Sequence, residues 1–481
     1  MQPLSTVLAL VAALAALAPQ ASAETVLGAY VFARHGDRTA KSTPPTDLTS
    51  LGYQQVFNTG SYFHNRYISL ASQSHIFGIS PEIVKPSQLV ASAPDDDVLQ
   101  KSAIAFLQAL YPPAGRAAIS TLRNGTVVES PMNGYQLIAV EQVSTGGNSE
   151  NLAWLQSATK CQKAKTSSNQ FRESKEYHEL LQSTTDFYKT IAPMVEGTFP
   201  ESKVNFGNAY LIWDLLNVAR IHNSTDSLPE DKLPSEATFA RLQELANMHE
   251  FNLAYNSSSP IRAVSGSILA GEVLSSFKEL IDSAGTKTKL SVQFGAYAIF
   301  LSFFGLSKLA ETKSIFTSVP DYSSSMAFEL VTNASTSPSA PFPDPSEISV
   351  RYLFRSGGIV PDSPETEPVA YPLFGQSSTL MPWSEFESNM KKIAISSEQE
   401  FCDACSETPE RCGAEGGTDN GANAPSGRSS GLSRVGAGVV GALVTLAVIL
   451  ALQGLVFLLG GLRLVKKGDA KAIKEMEKAS V

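Results

Sequence analysis

An uncharged, apolar segment near the carboxyl end constrains the topology of this 481-residue chain most strongly. No Asp, Glu, Lys or Arg occurs from Val435 to Leu462, and about 20 apolar residues suffice for a helix to cross the hydrocarbon core of a bilayer. Basic side chains dominate the segment that follows, residues 463–481. This pattern predicts a transmembrane helix over 435–462 and a basic cytosolic tail over 463–481.

The amino end carries a second targeting signal. An apolar run from Leu4 to Ala18 precedes Ala21-Ser22-Ala23, which matches the small-residue pattern of a signal-peptide cleavage site. We therefore expect a signal peptide over residues 1–23. Together with the predicted helix, this indicates a single-pass membrane protein of the secretory pathway, with its N-terminal domain extracellular or lumenal and the cell surface as its expected location.

The cysteines and glycosylation sequons fit an oxidising, extracytosolic compartment. Two disulfides are expected there, and the sequence leaves all three pairings open. The four cysteines are Cys161, Cys402, Cys405 and Cys412. The four sequons, which predict glycosylation, begin at Asn124, Asn223, Asn256 and Asn333.

Strand-like and helical segments alternate along residues 24–405, which predicts an α/β sheet domain. The α/β parts are expected over about 24–125 and 263–405, with a mainly helical insertion over about 126–262. Residues 406–434 are rich in Gly, Ser and Asn and predict a flexible stalk. The net charge of −9 argues against nucleic acid as a partner, because a phosphate backbone needs clustered Lys and Arg.

One motif carries the chemistry. Residues 34–39, Arg-His-Gly-Asp-Arg-Thr, directly follow a predicted strand over Val26–Ala33, and open α/β sheets bind ligands at the carboxyl ends of their strands. An imidazole nitrogen such as that of His35 can attack phosphorus and form a phosphohistidine. The guanidinium groups of Arg34 and Arg38 can bind phosphate oxygens and stabilise their charge. We expect the His35 ring to be open to an incoming phosphoester.

The motif resembles the signature of the histidine acid phosphatases, which belong to the phosphoglycerate-mutase-like superfamily. Residues 48–52, Leu-Thr-Ser-Leu-Gly, and 102–107, Ser-Ala-Ile-Ala-Phe-Leu, are similar to helices of that family. The resemblance implies a phosphoglycerate-mutase-like fold and a phosphorylated small-molecule substrate. It makes His35 the nucleophile and Arg34 and Arg38 the phosphate ligands, with no cofactor and no metal.

Part of the catalytic set of that family is missing from the aligned positions. A further phosphate-binding Arg aligns with Val98, and a His-Asp pair aligns with Gln293 and Phe294 when the residues are counted back from Gly305-Leu306. Gln293 can still donate a hydrogen bond to phosphate, whereas Phe294 cannot protonate a leaving group. A general acid contributes about 10²–10⁴ in rate. We therefore expect a weakened phosphomonoester hydrolase, with a catalytically inactive cell-surface binding or structural glycoprotein as the alternative.

Other acidic groups are candidates for the missing proton donor. They are Asp37, Asp95, Asp96 and Asp97. The last three can equally be charges at the amino end of a helix, where the helix dipole favours them. The five other histidines, His64, His75, His178, His222 and His249, are interpreted as surface or structural residues.

Overall fold

The computed structural model describes five stretches of the chain. They are residues 24–143, 161–222, 233–337, 339–357 and 367–405. The predicted signal peptide, stalk, membrane helix and tail lie outside these stretches. Within them, every helix is too short or too polar to cross a bilayer.

Ten strands and eleven main helices account for the regular structure of these stretches. The strands are β1 Thr25–Arg34, β2 Leu89–Pro94, β3 Ile119–Thr121, β4 Val127–Glu129, β5 Glu141–Val143, β6 Leu290–Gly295, β7 Ser325–Thr332, β8 Ile348–Arg355, β9 Val369–Ala370 and β10 Leu380–Pro382. The helices are α1 Ser50–Phe63, α2 Asp97–Leu110, α3 Gln162–Arg172, α4 Lys175–Ser183, α5 Thr185–Val195, α6 Ala209–His222, α7 Glu236–Ala254, α8 Val264–Asp282, α9 Tyr297–Leu306, α10 Trp383–Lys391 and α11 Glu398–Cys405. This alternation confirms the predicted α/β class.

The main sheet is mixed. Its strands run in the order β10-β8-β7-β1-β6-β2-β5, and β9 pairs with β8. Strand β1 pairs in parallel with β6, where Arg34 lies opposite Gly295. It pairs antiparallel with β7, where Ala33 lies opposite Ser325. The carboxyl end of β1 therefore meets the end of β6 and the beginning of β7.

Strand β1 is buried on both faces, which explains its almost continuous apolar sequence. Side chains alternate along a strand, so Tyr30 and Phe32 belong to one hydrophobic cluster and Val31 and Ala33 to another. The first cluster includes residues of α8 and α9, and the second includes residues of α1 and α2. Helices on both sides of the sheet thus hold β1, and with it the loop that follows, in place.

A disulfide between Cys161 and Cys405 joins the beginning of α3 to the end of α11. It selects one of the pairings that the sequence left open. Cys402 is also disulfide-bonded, and Cys412 lies outside the described stretches. Of the predicted glycosylation sites, Asn124 and Asn333 are exposed, Asn256 is half-buried and Asn223 is not described; their glycosylation stays a prediction.

Within the predicted helical insertion, residues 175–195 form two helices, α4 and α5, and not one continuous helix. They meet at Thr184, whose hydroxyl donates to the carbonyl of Leu180 at 2.6 Å. The hydroxyl of Thr185 likewise donates to the carbonyl of Leu181 at 2.9 Å. Hydroxyl groups that bond to preceding carbonyls compete with the backbone ladder, which accounts for the break.

Candidate active site

The loop after β1 is held by close backbone contact with the first turn of α1. A Cβ atom on Gly36 would overlap the carbonyl oxygen of Gly52, and a Cβ on Gly52 would overlap that of Asp37. Only glycine fits at either position. The side chain of Thr49 caps α1 by accepting from Gly52 N at 3.0 Å, and its backbone N–H donates to the carbonyl of Asp37 at 3.0 Å. These contacts fix the loop against α1.

A hydrogen bond fixes the tautomer of His35. Its Nδ1 lies 2.7 Å from the carbonyl oxygen of Gly36. Because a carbonyl only accepts, Nδ1 carries the proton and Nε2 carries the lone pair. The ring is fully buried, with the Tyr322 ring 5.6 Å away between centroids. The expectation that this imidazole is open to an incoming phosphoester is therefore wrong for this structure, in which the ring is fully buried.

Arg34 lies between two tyrosine rings. Its guanidinium carbon is 4.7 Å from the ring centre of Tyr322 and 5.4 Å from that of Tyr297, and Nη1 donates to the carbonyl of Pro320. Its Nε–H is buried and has no acceptor among the described residues. The same is true of the Tyr322 hydroxyl. A buried donor without an acceptor costs about 1–3 kcal/mol.

Arg38 makes a buried, two-pronged ion pair with Asp214 on α6. Nη2 lies 3.0 Å from Oδ1, and Nη1 lies 3.2 Å from Oδ2. The Tyr210 hydroxyl is 3.3 Å from Nη2. Burial, with the Asp214 charge added to it, raises the pKa of Tyr210, so this phenol stays neutral. The ion pair orients the Arg38 side chain toward α6. The Asp214 carboxylate also neutralises the charge of the Arg38 guanidinium group.

Three of the four acidic candidates for a proton donor hold hydrogen bonds of a structural kind. Asp37 Oδ2 accepts from the Thr49 hydroxyl at 2.5 Å and lies 2.6 Å from His222 Nε2. Asp96 caps α2 by accepting from the backbone N–H of Leu99 at 3.1 Å, and Asp95 accepts from Gln142. Asp97 lies in the first turn of α2. The helix-end interpretation of Asp96 is thus confirmed.

Gln293 and Phe294 are not beside the catalytic loop, which corrects the sequence alignment. Gln293 lies opposite Phe32 inside the sheet; it accepts from the Tyr30 hydroxyl at 2.7 Å and donates to Glu272 on α8. Phe294 packs against Phe106 on the other face. This placement contradicts the predicted phosphate contact of Gln293.

The residues beside Arg34 are Ala296 and Tyr297, and not Gln293 and Phe294. Gly295 is the register partner of Arg34, and α9 begins two residues later, at Tyr297. The Tyr297 hydroxyl donates to Glu250 Oε2 at 2.7 Å. Burial, with the Glu250 charge added to it, raises the pKa of Tyr297, so this phenol is a poor acid. Val98 is fully buried in the first turn of α2.

A cavity of about 120 Å³ borders Arg34 and Tyr322. Trp213 on α6 and Phe239 on α7 line its other side, together with Asp321, which precedes Tyr322. Sequence reasoning missed this wall, because residues 321 and 322 reach the loop through the antiparallel pairing of β7 with β1. No local sequence signal marks that pairing.

The chain matches a known protein family over most of its length. Residues 42–355 match the sequence pattern of the histidine phosphatase superfamily, branch 2. The chain belongs to this family. The match begins at residue 42, after the loop of residues 34–38. This loop of the histidine phosphatase is therefore recognised by its own sequence motif and by its place at the end of β1.

Curated relatives and solved structures agree with this membership. The chain is 26% identical over 262 residues to prostatic acid phosphatase from Homo sapiens and 24% identical to that from Bos taurus. It spans 60% and 59% of their lengths, and the match covers 51% of this chain. Phytases from Klebsiella sp. ASR1 and Hafnia alvei each superimpose with a TM-score of 0.52, at 12% and 11% identity. These cover 79% and 81% of this chain and 96% and 99% of theirs, which shows the shared fold.

Proposed function

We propose that this histidine phosphatase hydrolyses phosphomonoesters through a phosphohistidine on His35. One observation carries the proposal: two buried donors, Arg34 Nε–H and the Tyr322 hydroxyl, lie beside His35 and find no acceptor among the described residues. Phosphate oxygens would supply those acceptors. A buried donor gains most from an ionised acceptor, so this corner of the protein favours an anion.

The reaction would proceed in two displacements. Nε2 of His35 attacks phosphorus, the bond to the ester oxygen breaks, and the alcohol leaves after gaining a proton. Water then attacks the phosphohistidine, releasing phosphate and returning the lone pair to Nε2. Arg34 stabilises charge on the transferring group, whereas Arg38 has to leave its ion pair with Asp214 before it can contribute. The Tyr322 ring has to move aside for the substrate to reach Nε2, because the imidazole is fully buried.

Proton donation to the leaving group would be the weak step. The residue at the position beside Arg34 is Tyr297, whose proton is directed to Glu250. Aryl phosphates need little protonation of the leaving group, whereas alkyl phosphates depend on it. The proposed enzyme therefore favours aryl over alkyl esters.

A second candidate is a catalytically inactive member of the family that serves as a binding or structural glycoprotein. The complete burial of His35 and the neutralisation of Arg38 by Asp214 favour it. In this case the loop would be kept for its role in packing. The two candidates differ in a single measurable property, His35-dependent phosphate release.

The test is phosphate release by the purified full-length chain and by its His35→Ala variant, assayed with aryl and alkyl phosphates from pH 4 to 7. The His178→Ala variant is the control, since His178 is exposed on α4. Release that only His35→Ala abolishes supports the hydrolase. Release that is absent with every ester rejects the hydrolase and leaves the inactive alternative. Release that His35→Ala does not change rejects the phosphohistidine on His35.

We also propose that the protein is anchored in a membrane of the secretory pathway, with the phosphatase-like domain on the extracytosolic side. The apolar segments at residues 4–18 and 435–462 and the four sequons support this placement. Glycosidase treatment should increase the gel mobility of the cell-derived protein. A cytosolic, unglycosylated product would contradict the proposal.

A further inference from the structure

Strands β7 and β8 bring two unsatisfied hydrogen-bond donors together at the sheet edge that carries the His35 loop. Arg355 ends β8 and lies directly opposite Ser325, the first residue of β7. Ser325 in turn lies opposite Ala33 of β1. Residues directly opposite each other in an antiparallel pair share a face of the sheet, with Cβ atoms about 4.5–5.5 Å apart. The Arg355 and Ser325 side chains are therefore neighbours.

Both side chains are buried and incompletely bonded. Ser325 is fully buried, and Arg355 is 8% exposed. Arg355 Nη1 donates to the Thr59 hydroxyl on α1 at 2.9 Å, and the guanidinium carbon lies 5.4 Å from the ring centre of Tyr62. The Arg355 Nε–H and the Ser325 hydroxyl make no hydrogen bond with any part of the chain that the structure describes. Buried polar groups are normally bonded, so two adjacent unsatisfied donors point to a ligand that accepts.

The charge of Arg355 is also uncompensated. Arg66 and Arg351 lie on the same sheet and share the Glu329 carboxylate; burial lowers the pKa of both, but Glu329 more than offsets it, and the pKa of both is raised. At Arg355 burial lowers the pKa, and the exposed Glu367, which forms no ion pair with it, offsets this only in part. A buried cation without a counter-charge is unfavourable.

Arg262 shows how this fold buries a guanidinium group without a carboxylate. It is 5% exposed, and its Nε, Nη1 and Nη2 atoms donate to the hydroxyl of Ser167, the carbonyl of Asn252 and the carbonyl of Ser167. Within the described stretches, Arg355 has one acceptor, Thr59. A water molecule at Arg355 would accept from the free donors but leave the charge uncompensated, whereas an anion does both. The near-complete burial requires this anion to be small.

The position of these donors links them to the backbone of the His35 loop. The Thr59 hydroxyl, which accepts from Arg355, lies 2.6 Å from the Ser323 hydroxyl, and the Ser323 N–H donates to the carbonyl of His35 at 2.8 Å. Side chains alternate along β1, so Arg34 points to the other face of the sheet. The site is thus separate from the corner where Arg34 and His35 would meet a phosphoester.

We propose that Arg355 and Ser325 hold a small monovalent anion of the halide class, chloride in practice, between the end of β8 and the beginning of β7. The anion accepts from the Arg355 Nε–H and the Ser325 hydroxyl and supplies the counter-charge of the guanidinium group. It thereby stabilises the contact of α1 with the two strands. The inference is independent of the proposed hydrolase, because neither residue belongs to the His35 loop.

Urea unfolding of the purified full-length chain tests the inference with chloride as the probe. Sodium chloride replaces sodium gluconate at constant ionic strength, so that the screening of surface charges stays the same. A single bound anion lowers the unfolding equilibrium constant about tenfold for each tenfold rise in chloride above its Kd. Bromide should act in the same way, and its anomalous scattering in a crystal should give a peak beside Arg355 Nε.

Two pairs of variants assign the effect to this site. Arg355→Met keeps an extended side chain without donors and should lose the chloride dependence, whereas the equally buried Arg262→Met should lower the stability and keep it. Ser325→Ala should weaken chloride binding severalfold. Ser265→Ala is its control, because the Ser265 hydroxyl is buried and already donates to Ser302. The serine pair decides the question even where an arginine variant does not fold.

The outcomes separate an anion from water. Chloride dependence in the wild type that Arg355→Met removes and Ser325→Ala weakens, with the bromide peak at Arg355, supports the site. A wild type whose stability is the same in chloride and gluconate would show that water satisfies these donors, and the inference is then overturned. A chloride dependence that survives unchanged in Arg355→Met or in Ser325→Ala would place the anion elsewhere and overturns it as well.

Discussion

His222 Nε2 lies 2.6 Å from Asp37 Oδ2 and so joins the last residue of α6 to the loop that carries His35. Asp37 is fully buried, whereas the His222 side chain is 30% exposed. Asp37 also accepts from Thr49, the cap of α1. One carboxylate therefore links the loop that carries His35 to both α1 and α6.

Removal of this link should weaken both stability and activity. The His222→Ala variant leaves Asp37 Oδ2 with Thr49 alone, and we expect the free energy of unfolding to fall by about 1–2 kcal/mol, since the lost hydrogen bond involves a charged group. His222→Gln can still donate to Asp37 and should lose less. Urea unfolding measures the difference, with the exposed His178→Ala as control. Equal losses for the Ala and Gln variants would contradict the role of the hydrogen bond.

Restoring the acid beside Arg34 should change the substrate preference of the enzyme. The resemblance to histidine acid phosphatases implies a His-Asp pair, and the two residues that follow Gly295, the register partner of Arg34, are Ala296 and Tyr297. In the Ala296→His/Tyr297→Asp variant, the ratio of kcat/KM for alkyl over aryl phosphates should rise by up to about 10²–10⁴. The same changes at Gln293 and Phe294, inside the sheet, should destabilise the fold without this gain. An unchanged ratio would show that another group already donates the proton.

The sequence predicted local structure well, because strands and helices carry their own periodicity. Strand β1, helix α2 and the loop between Arg34 and Arg38 are where the pattern indicates. The predictions that failed depended on contacts between segments that are distant in the sequence. Tyr322 covers His35 only because β7 pairs antiparallel with β1, and Asp214 reaches Arg38 from α6, 176 positions away.

The error at Gln293 has a different physical origin. A shift of three residues along a strand changes both the depth of a side chain in the sheet and the face to which it points. Counting back from the far end of the following helix therefore cannot locate a site residue. For His222, the interpretation as a surface or structural residue agrees with its hydrogen bond to Asp37. The sequence did not indicate which residue it bonds to, because the two positions are 185 residues apart.

The disulfide between Cys161 and Cys405 should contribute strongly to stability. It closes a loop with a sequence separation of 244, and long loops lose the most unfolded-state entropy when they are closed. The Cys161→Ala/Cys405→Ala variant should lose about 3–5 kcal/mol in the free energy of unfolding. Denaturant unfolding without reductant measures this loss. A variant as stable as the wild type would indicate that native packing alone holds α3 to α11.

Glu329 on β7 is the centre of a buried charge cluster on the sheet. It accepts from Arg66 at 2.6 Å, from Arg351 on β8 at 2.6 Å and from the Tyr67 hydroxyl at 2.9 Å. Burial alone would raise the pKa of Glu329, but the two guanidinium groups more than offset this, and its pKa is lowered. The Glu329→Gln variant keeps the shape and loses the charge. It should cost about 3–5 kcal/mol near neutral pH, because Arg66 loses its counter-charge and Arg351 keeps only its ion pair with Glu24.

The pH dependence of this loss follows from the lowered pKa. A carboxyl group with a pKa below its unfolded value of about 4.3 stabilises the fold fully above that value and progressively less as the pH falls through the folded-state pKa. The stability difference between the wild type and Glu329→Gln should therefore be constant from pH 5 to 7 and should shrink below about pH 4. Urea unfolding at each pH measures it, with the exposed Glu244→Gln as control. A difference that grows in acid would mean that Glu329 is already protonated in the folded protein, contrary to its pairing with Arg66 and Arg351.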